Sequence, residues 1–176
     1  TMPQRIMRNE VGFHCASYDG AIQYKNEKYH FLNGRKVPDW IFDKYFSKEL
    51  KLEDFTSCKN EEDKGSIITL IKENEGNEGV LKFLDAKLVD EKTFIHKDGY
   101  NDIQRLYKSK NKFTFAKDSN GKSNVNLAWH EMICASTKQS YLIETCPTFK
   151  NVEDSAKFLR PKSVPTSVPY LWQSCN

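Results

Sequence analysis

Four histidines and five cysteines are the residues of this chain best suited to do chemistry. His14 adjoins Cys15, and His130 stands four residues before Cys134. A thiolate is a strong nucleophile, and a neighbouring imidazole can generate it, so a Cys–His pair is what a hydrolase or transferase would need. Secondary structure decides whether the second pair can meet. On a helix, residues four apart lie side by side, with Cβ atoms about 5–6 Å apart. On a strand, at about 3.3 Å per residue, they stand about 13 Å apart, beyond hydrogen-bond reach. The stretch 125–135 has a fair helical stripe in Val125, Ala128, Trp129, Met132 and Ile133, which favours a helix by periodicity alone. Its hairpin context favours a strand, and the strand is the expectation adopted. His130 and Cys134 then share one face with Trp129 on the other, and they form no dyad. Cys134 stays open to a histidine from elsewhere in the chain. A lone histidine in a half-buried sheet is more often structural than catalytic.

The second chemistry is recognition. Residues 105–117 read RLYKSKNKFTFAK, which could set Arg105, Lys108, Lys110 and Lys112 against a phosphate backbone beside aromatic rings. The plainer reading is an exposed hairpin whose lysines solubilise it and protect an edge strand. Near the C-terminus, Tyr170, Leu171 and Trp172 follow Pro165 and Pro169. The tail 161–176 is therefore expected to be extended, with Tyr170 and Trp172 either packed back on the body or docked to a partner. No cofactor or metal is expected. The cysteines form no CxxC, which disfavours zinc and fits reduced thiols better than a disulfide framework. Asp118-Ser119-Asn120-Gly121 lacks the closing glutamate and flanking helices of a calcium loop. Glu61-Glu62-Asp63 reads as a solvated first helical turn rather than a cation site. Phosphate loop, nucleophile elbow and zinc-protease helix are all missing.

The elements that must position these residues are organised on a ribbon, 13–42. Asp19-Gly20 is a turn signal. Asn33-Gly34 between aromatic runs is a strong hairpin signal, because a type I′ turn needs positive φ at both central residues. Two such turns predict a small antiparallel meander, ended by Pro38, which has no N–H for a ladder. Asp39 is expected to cap a short helix carrying Trp40, Ile41 and Tyr45. Residues 52–55 predict one helical turn. Asn60 caps the helix most strongly predicted, with Ile67, Ile68, Leu70 and Ile71 as its stripe and Gly76 as its end. Gly65 inside it suggests close packing. A second short helix is expected after Gly79, over 80–84.

Leu88-Val89, Thr93–Ile95, Ile103–Lys108, Phe113–Phe115 and Tyr141–Thr145 are predicted strand pieces. Lys97–Gly99 and Asp118–Gly121 are predicted turns. Asn151 caps a final helix that Pro161 ends, with Val152, Ala156 and Leu159 on one face. No repeat of solenoid length is visible.

The runs DGAIQY and YHFLNGRKVPDWI resemble the start of an uncharacterised bacterial domain of unknown function. Its members read as Asp-Gly-Pro-Ala-Ile, an aromatic strand, Asn-Gly, then Val-Pro-Glu-Trp. Asp19, Gly20, Ala21, Ile22, Asn33, Gly34, Val37, Pro38 and Trp40 match, while the proline between Gly20 and Ala21 is missing. The resemblance extends weakly over 60–76, Leu106-Tyr107 and 141–147. Its motifs are turn and packing residues, so it implies a fold and no reaction.

With 176 residues the chain is long enough for one domain with a real core. A hydrophobic content of 38% and no apolar run near the ~18 residues of a membrane span argue against a membrane protein. The net charge of +3 permits nucleic acid or an acidic partner and demands neither. No stretch reads as a signal peptide, and a cytoplasmic location is expected. The sequence therefore reads as a single α+β domain, an antiparallel sheet built from hairpins with a few short helices packed on it. Its expected role is a non-enzymatic interaction module that binds a protein partner or joins an assembly. The alternatives are a nucleic-acid-binding or nucleic-acid-processing accessory protein using the basic-aromatic hairpin, and a Cys–His hydrolase or transferase.

Overall fold

The computed structural model describes residues 2–95, 101–117, 121, 123–133 and 137–159. The fold is α+β, with antiparallel sheets built of hairpins and helices packed against them. The chain divides into two units, Thr1–Phe83 and Leu84–Asn176. Among the described residues, no helix is long and apolar enough to cross a membrane.

In the first unit the ribbon forms as short strands and tight turns. Strands β1 (Arg5–Ile6), β4 (Ile22–Gln23) and β5 (Lys28–Tyr29) make one antiparallel sheet in the order β1-β4-β5. Strands β2 (Arg8–Asn9) and β3 (Gly12–Phe13) pair separately, as do β6 (Phe31–Leu32) and β7 (Arg35–Lys36). The expected single meander is thus split into three small sheets. Two-residue strands are too short to carry one ladder through, and lone bonds such as Met7 N–H to the Ala21 carbonyl and Cys15 N–H to the Phe31 carbonyl join the pieces. Asn33 and Gly34 both hold positive φ, 50° and 80°, as the type I′ turn requires.

Pro38, with ψ 137°, occupies the N-cap position of α1 (Asp39–Phe46), and no side chain caps that end. The expected cap, Asp39, is instead the first helical residue, and its carboxylate faces His30. Proline's fixed φ suits this position, because the first helical amides have no intrahelical acceptor to lose. Helix α2 (Leu52–Ser57) extends the predicted turn, and the Asp54 carboxylate accepts the Lys51 N–H at 3.0 Å.

Asn60 Oδ1 accepts the Glu62 N–H at 2.9 Å and so caps α3 (Glu61–Phe83), as expected. Gly76, at φ 71° and ψ −167°, breaks that helix where termination was predicted. The helix resumes directly after Gly76 rather than after Gly79. A Cβ on Gly65 would have nothing within 4 Å, so Gly65 marks no close packing. Ile41, Phe42, Ile67 and Leu70 are fully buried and supply much of this unit's core.

The second unit is one four-stranded antiparallel sheet, β11-β10-β9-β8 in order. Its strands are β8 (Ala86–Ile95), β9 (Asn101–Lys117), β10 (Ser123–Ile133) and β11 (Ser140–Thr145). The two predicted pieces in 88–95 are one strand, and so are the two in 103–115. Bulges hide this continuity in sequence: they shift the register at Leu88/Asp90 on β8 and where Asn126 and Ala128 of β10 face Lys112 and Lys108 of β9. Side chains satisfy the second irregularity. Asn126 donates to the Ser109 carbonyl at 2.7 Å, and Ser109 Oγ accepts the Leu127 N–H at 2.8 Å.

The segment 125–133 is strand, as expected. Helix α4 (Val152–Leu159) packs on the sheet, with Asn151 Oδ1 accepting the Asp154 N–H at 2.8 Å as the expected cap. Val152 and Ala156 are buried beneath it, while Leu159 is half-buried. The predicted turn 97–99, most of the turn 118–121, His96, Cys134 and the tail with Tyr170 and Trp172 lie outside the described residues.

Candidate functional site

His130 is the best-placed reagent in the second unit, and its surroundings define what it does. It lies opposite Leu106 of β9 and Ile143 of β11, on the sheet face that α4 covers. Its Nδ1 is 2.9 Å from Ser155 Oγ on α4, and its Nε2 is 2.8 Å from Gln104 Oε1. Gln104 Nε2 donates to the carboxylate of Asp102 at 2.5 Å, and Thr145 Oγ1 lies 2.9 Å from Ser155 Oγ.

These contacts orient every proton. The Gln104 amide oxygen can only accept, so His130 carries its hydrogen on Nε2. Nδ1 is then an acceptor and takes the Ser155 hydroxyl proton, which leaves Ser155 Oγ to accept from Thr145. The pair resembles a hydroxyl nucleophile beside its base, but His130, Ser155, Gln104 and Asp102 are all fully buried. Burial also lowers the His130 pKa to about 4, against an ordinary 6.5. The chain Thr145–Ser155–His130–Gln104–Asp102 fastens α4 to β9, β10 and β11, and no substrate can reach it.

The first unit seals His30 in the same way. His30, 1% exposed, stacks on Phe42 at 4.0 Å. Its Nδ1 lies 2.9 Å from Asp39 Oδ1, and its Nε2 lies 3.2 Å from the Tyr18 carbonyl. His14 and Cys15 do not engage each other. His14 Nδ1 accepts the Asn33 N–H at 3.1 Å, while buried Cys15 Sγ lies 3.0 Å from Ser17 Oγ. Adjacent residues of an extended chain point to opposite sides, which separates them. Among the described residues no group of three or more His, Cys, Asp or Glu could hold a metal ion.

The basic segment does not form one patch. Arg105 and Lys108 are three apart on a regular stretch of β9, so they project from opposite faces. Arg105 Nε donates to Glu91 at 2.6 Å and its Nη1 to Glu131 at 3.2 Å. Glu131, largely buried, also accepts from Tyr107 OH at 3.1 Å and Ser140 Oγ at 2.6 Å. The two carboxylates hold Arg105 firmly charged and neutralise it. Lys108 is half-buried, and burial lowers its pKa. Lys110 and Lys112 are exposed, whereas Phe113 is 2% exposed and offers no ring face to a base. Of the segment's described aromatic side chains, Phe113 is core and Tyr107 is half-buried with its hydroxyl held by Glu131.

The sequence reading missed a different basic-aromatic surface, in the first unit. Ile22, Tyr24, Lys25, Asn26, Glu27, Tyr29, Phe31 and Lys36 line one concavity of about 680 Å³. Tyr24 meets Tyr29 edge-on, with centroids 6.0 Å apart. The Lys36 ammonium sits 5.0 Å above the Tyr29 ring. Lys25 and Lys36 are exposed, and among the described residues neither has a carboxylate within ion-pair distance. The Tyr29 hydroxyl donates to Glu27 at 3.0 Å, which raises the phenol's pKa.

The signal was present in sequence, as Tyr29 and Phe31 alternate with His30. In sequence these rings are only the aromatic runs beside the turns, and nothing local tells which side of a two-residue strand stays open. Comparison with known proteins adds no assignment: no protein family, curated protein or solved structure matches this chain.

Proposed function

We propose that this chain is a non-catalytic interaction module that binds a protein partner, and that the concavity over β4, β5, β6 and β7 is its docking surface. The observation that carries this reading is the open trench of Tyr24, Tyr29 and Phe31, flanked by two lysines that have no ion-paired carboxylate among the described residues. Aromatic rings are enriched at recognition surfaces, and exposed lysines around them match the polar rim such surfaces carry. The burial of His30 and His130, with every ring nitrogen engaged, supports a binding role over a hydrolytic one.

The test is affinity purification from a native extract with the full chain and with its Lys25→Glu/Lys36→Glu variant, each before and after nuclease treatment. The expected result is a protein partner that the wild type retains after nuclease and the variant loses. A partner held equally by both chains would refute the trench as the docking surface. Loss on nuclease treatment would replace the reading with nucleic-acid binding.

A further inference from the structure

The trench has features that select one kind of occupant, and the argument rests on the docking role proposed above. Its apolar floor is Ile22 and Phe31, with Ile22 directly across the β4–β5 ladder from Tyr29. Its rim carries Lys25 and Lys36. The one lining carboxylate, Glu27, is engaged by the Tyr29 hydroxyl and disfavours negative charge at that end alone.

The backbone supplies a further element. Val37 donates its N–H to the His30 carbonyl at 2.8 Å, and Phe31 pairs with Lys36. Hydrogen-bonded and non-hydrogen-bonded pairs alternate along an antiparallel ladder, so Lys36 turns its own N–H and C=O away from β6. The Phe31 carbonyl likewise turns away from β7 and accepts the Cys15 N–H at 3.0 Å. On the outer side, β7 has no neighbouring strand among the described residues.

We infer that the trench binds an extended, acidic peptide segment, which adds to the outer edge of β7 at Lys36, seats an apolar side chain on the Ile22–Phe31 floor, and sets carboxylates against Lys25 and Lys36. Strand addition uses the free backbone groups, and alternate side chains supply the selectivity. The rival occupant of a basic-aromatic surface is single-stranded nucleic acid, which needs bare ring faces for base stacking. Here the Lys36 ammonium already covers the Tyr29 face, and Tyr24 meets Tyr29 at 86° rather than offering a parallel platform. The peptide fits what is left open.

The experiment is selection from a displayed random-peptide library on the full chain, counter-selected on Lys25→Glu/Lys36→Glu and separately on Tyr29→Ser, with an oligothymidylate measured beside it by fluorescence polarisation. The expected result is enrichment of sequences alternating apolar residues with Asp or Glu, whose affinity falls about tenfold in the lysine variant and with rising salt. Selected peptides that need Tyr29 but show no acidic bias would overturn the inference and leave the docking role standing. No trench-dependent peptide, or oligothymidylate bound more tightly than every peptide, would overturn both. The lysine variant changes only exposed side chains, so it keeps the test decisive even if Tyr29→Ser fails to fold.

Discussion

Replacing His130 by Leu tests the reading of the buried chain in the second unit. The substitution removes the acceptor of the Ser155 hydroxyl and the donor to Gln104 Oε1. A buried polar group left without its partner costs about 1–3 kcal/mol. Ser155 can turn its proton toward Thr145, 2.9 Å away, so the Gln104 oxygen bears most of the cost. His130→Leu should therefore destabilise the second unit by about 2–3 kcal/mol at pH 7.

The pH dependence sharpens the test. Burial lowers the His130 pKa from 6.5 to about 4. The unfolded chain takes up a proton below pH 6.5 that the folded chain refuses until pH 4, so stability is lost as pH falls through this window. The loss is about 2–3 kcal/mol at the acid end, and the variant does not suffer it. Wild type and variant should thus differ at pH 7 and converge near pH 4. Ser155→Ala in the His130→Leu background should add less than it does alone, because alone it strands His130 Nδ1, which the background lacks. Urea titration with peptide-resolved hydrogen exchange over β10 and α4 measures all three. A wild-type advantage that stayed constant from pH 7 to pH 4, or a variant as stable as wild type at pH 7, would refute the reasoning.

Gly34→Val should lower stability by about 1–3 kcal/mol, because φ is +80° and a Cβ would lie 3.1 Å from the Val11 carbonyl oxygen; an unchanged melting temperature would count against the type I′ turn. Asn60→Ala should cost about 1 kcal/mol through loss of the α3 cap, read as faster amide exchange in the first turn of that helix. Competitive acylation followed by mass spectrometry should show Lys108 titrating below an ordinary lysine, because burial favours its neutral form. Arg105→Gln should destabilise the second unit by about 1 kcal/mol by removing the ion pairs to Glu91 and Glu131, with Tyr107 and Ser140 still donating to Glu131, yet leave heparin retention unchanged, since the two carboxylates already neutralise that charge.

The features legible in the sequence are those decided by residues close together along the chain. The Asn60 and Asn151 caps each take a backbone N–H two or three residues on. The Asn33-Gly34 turn and the break at Gly76 depend on the φ that Gly and Asn tolerate. The strand at 125–133 followed from its hairpin context, although its stripe also suited a helix. Reading failed where two local rules competed: Asp39 was given the cap that the preceding proline occupies, and two-residue strands were joined into one meander.

What only the tertiary structure decided is which side chains meet. Arg105 finds Glu91 and Glu131 at separations of 14 and 26 residues, and His130 finds Ser155 at 25. Those partners follow from the register of β8, β9 and β10, which bulges at Val89 and around Ser109 shift without leaving a mark in local propensity. A single-residue shift moves a strand's side chains to the other face. That is why a segment that reads as basic and aromatic buries Phe113 and pairs Arg105, whereas the half-exposed Tyr24, Tyr29 and Phe31 meet only when β4, β5 and β6 come together.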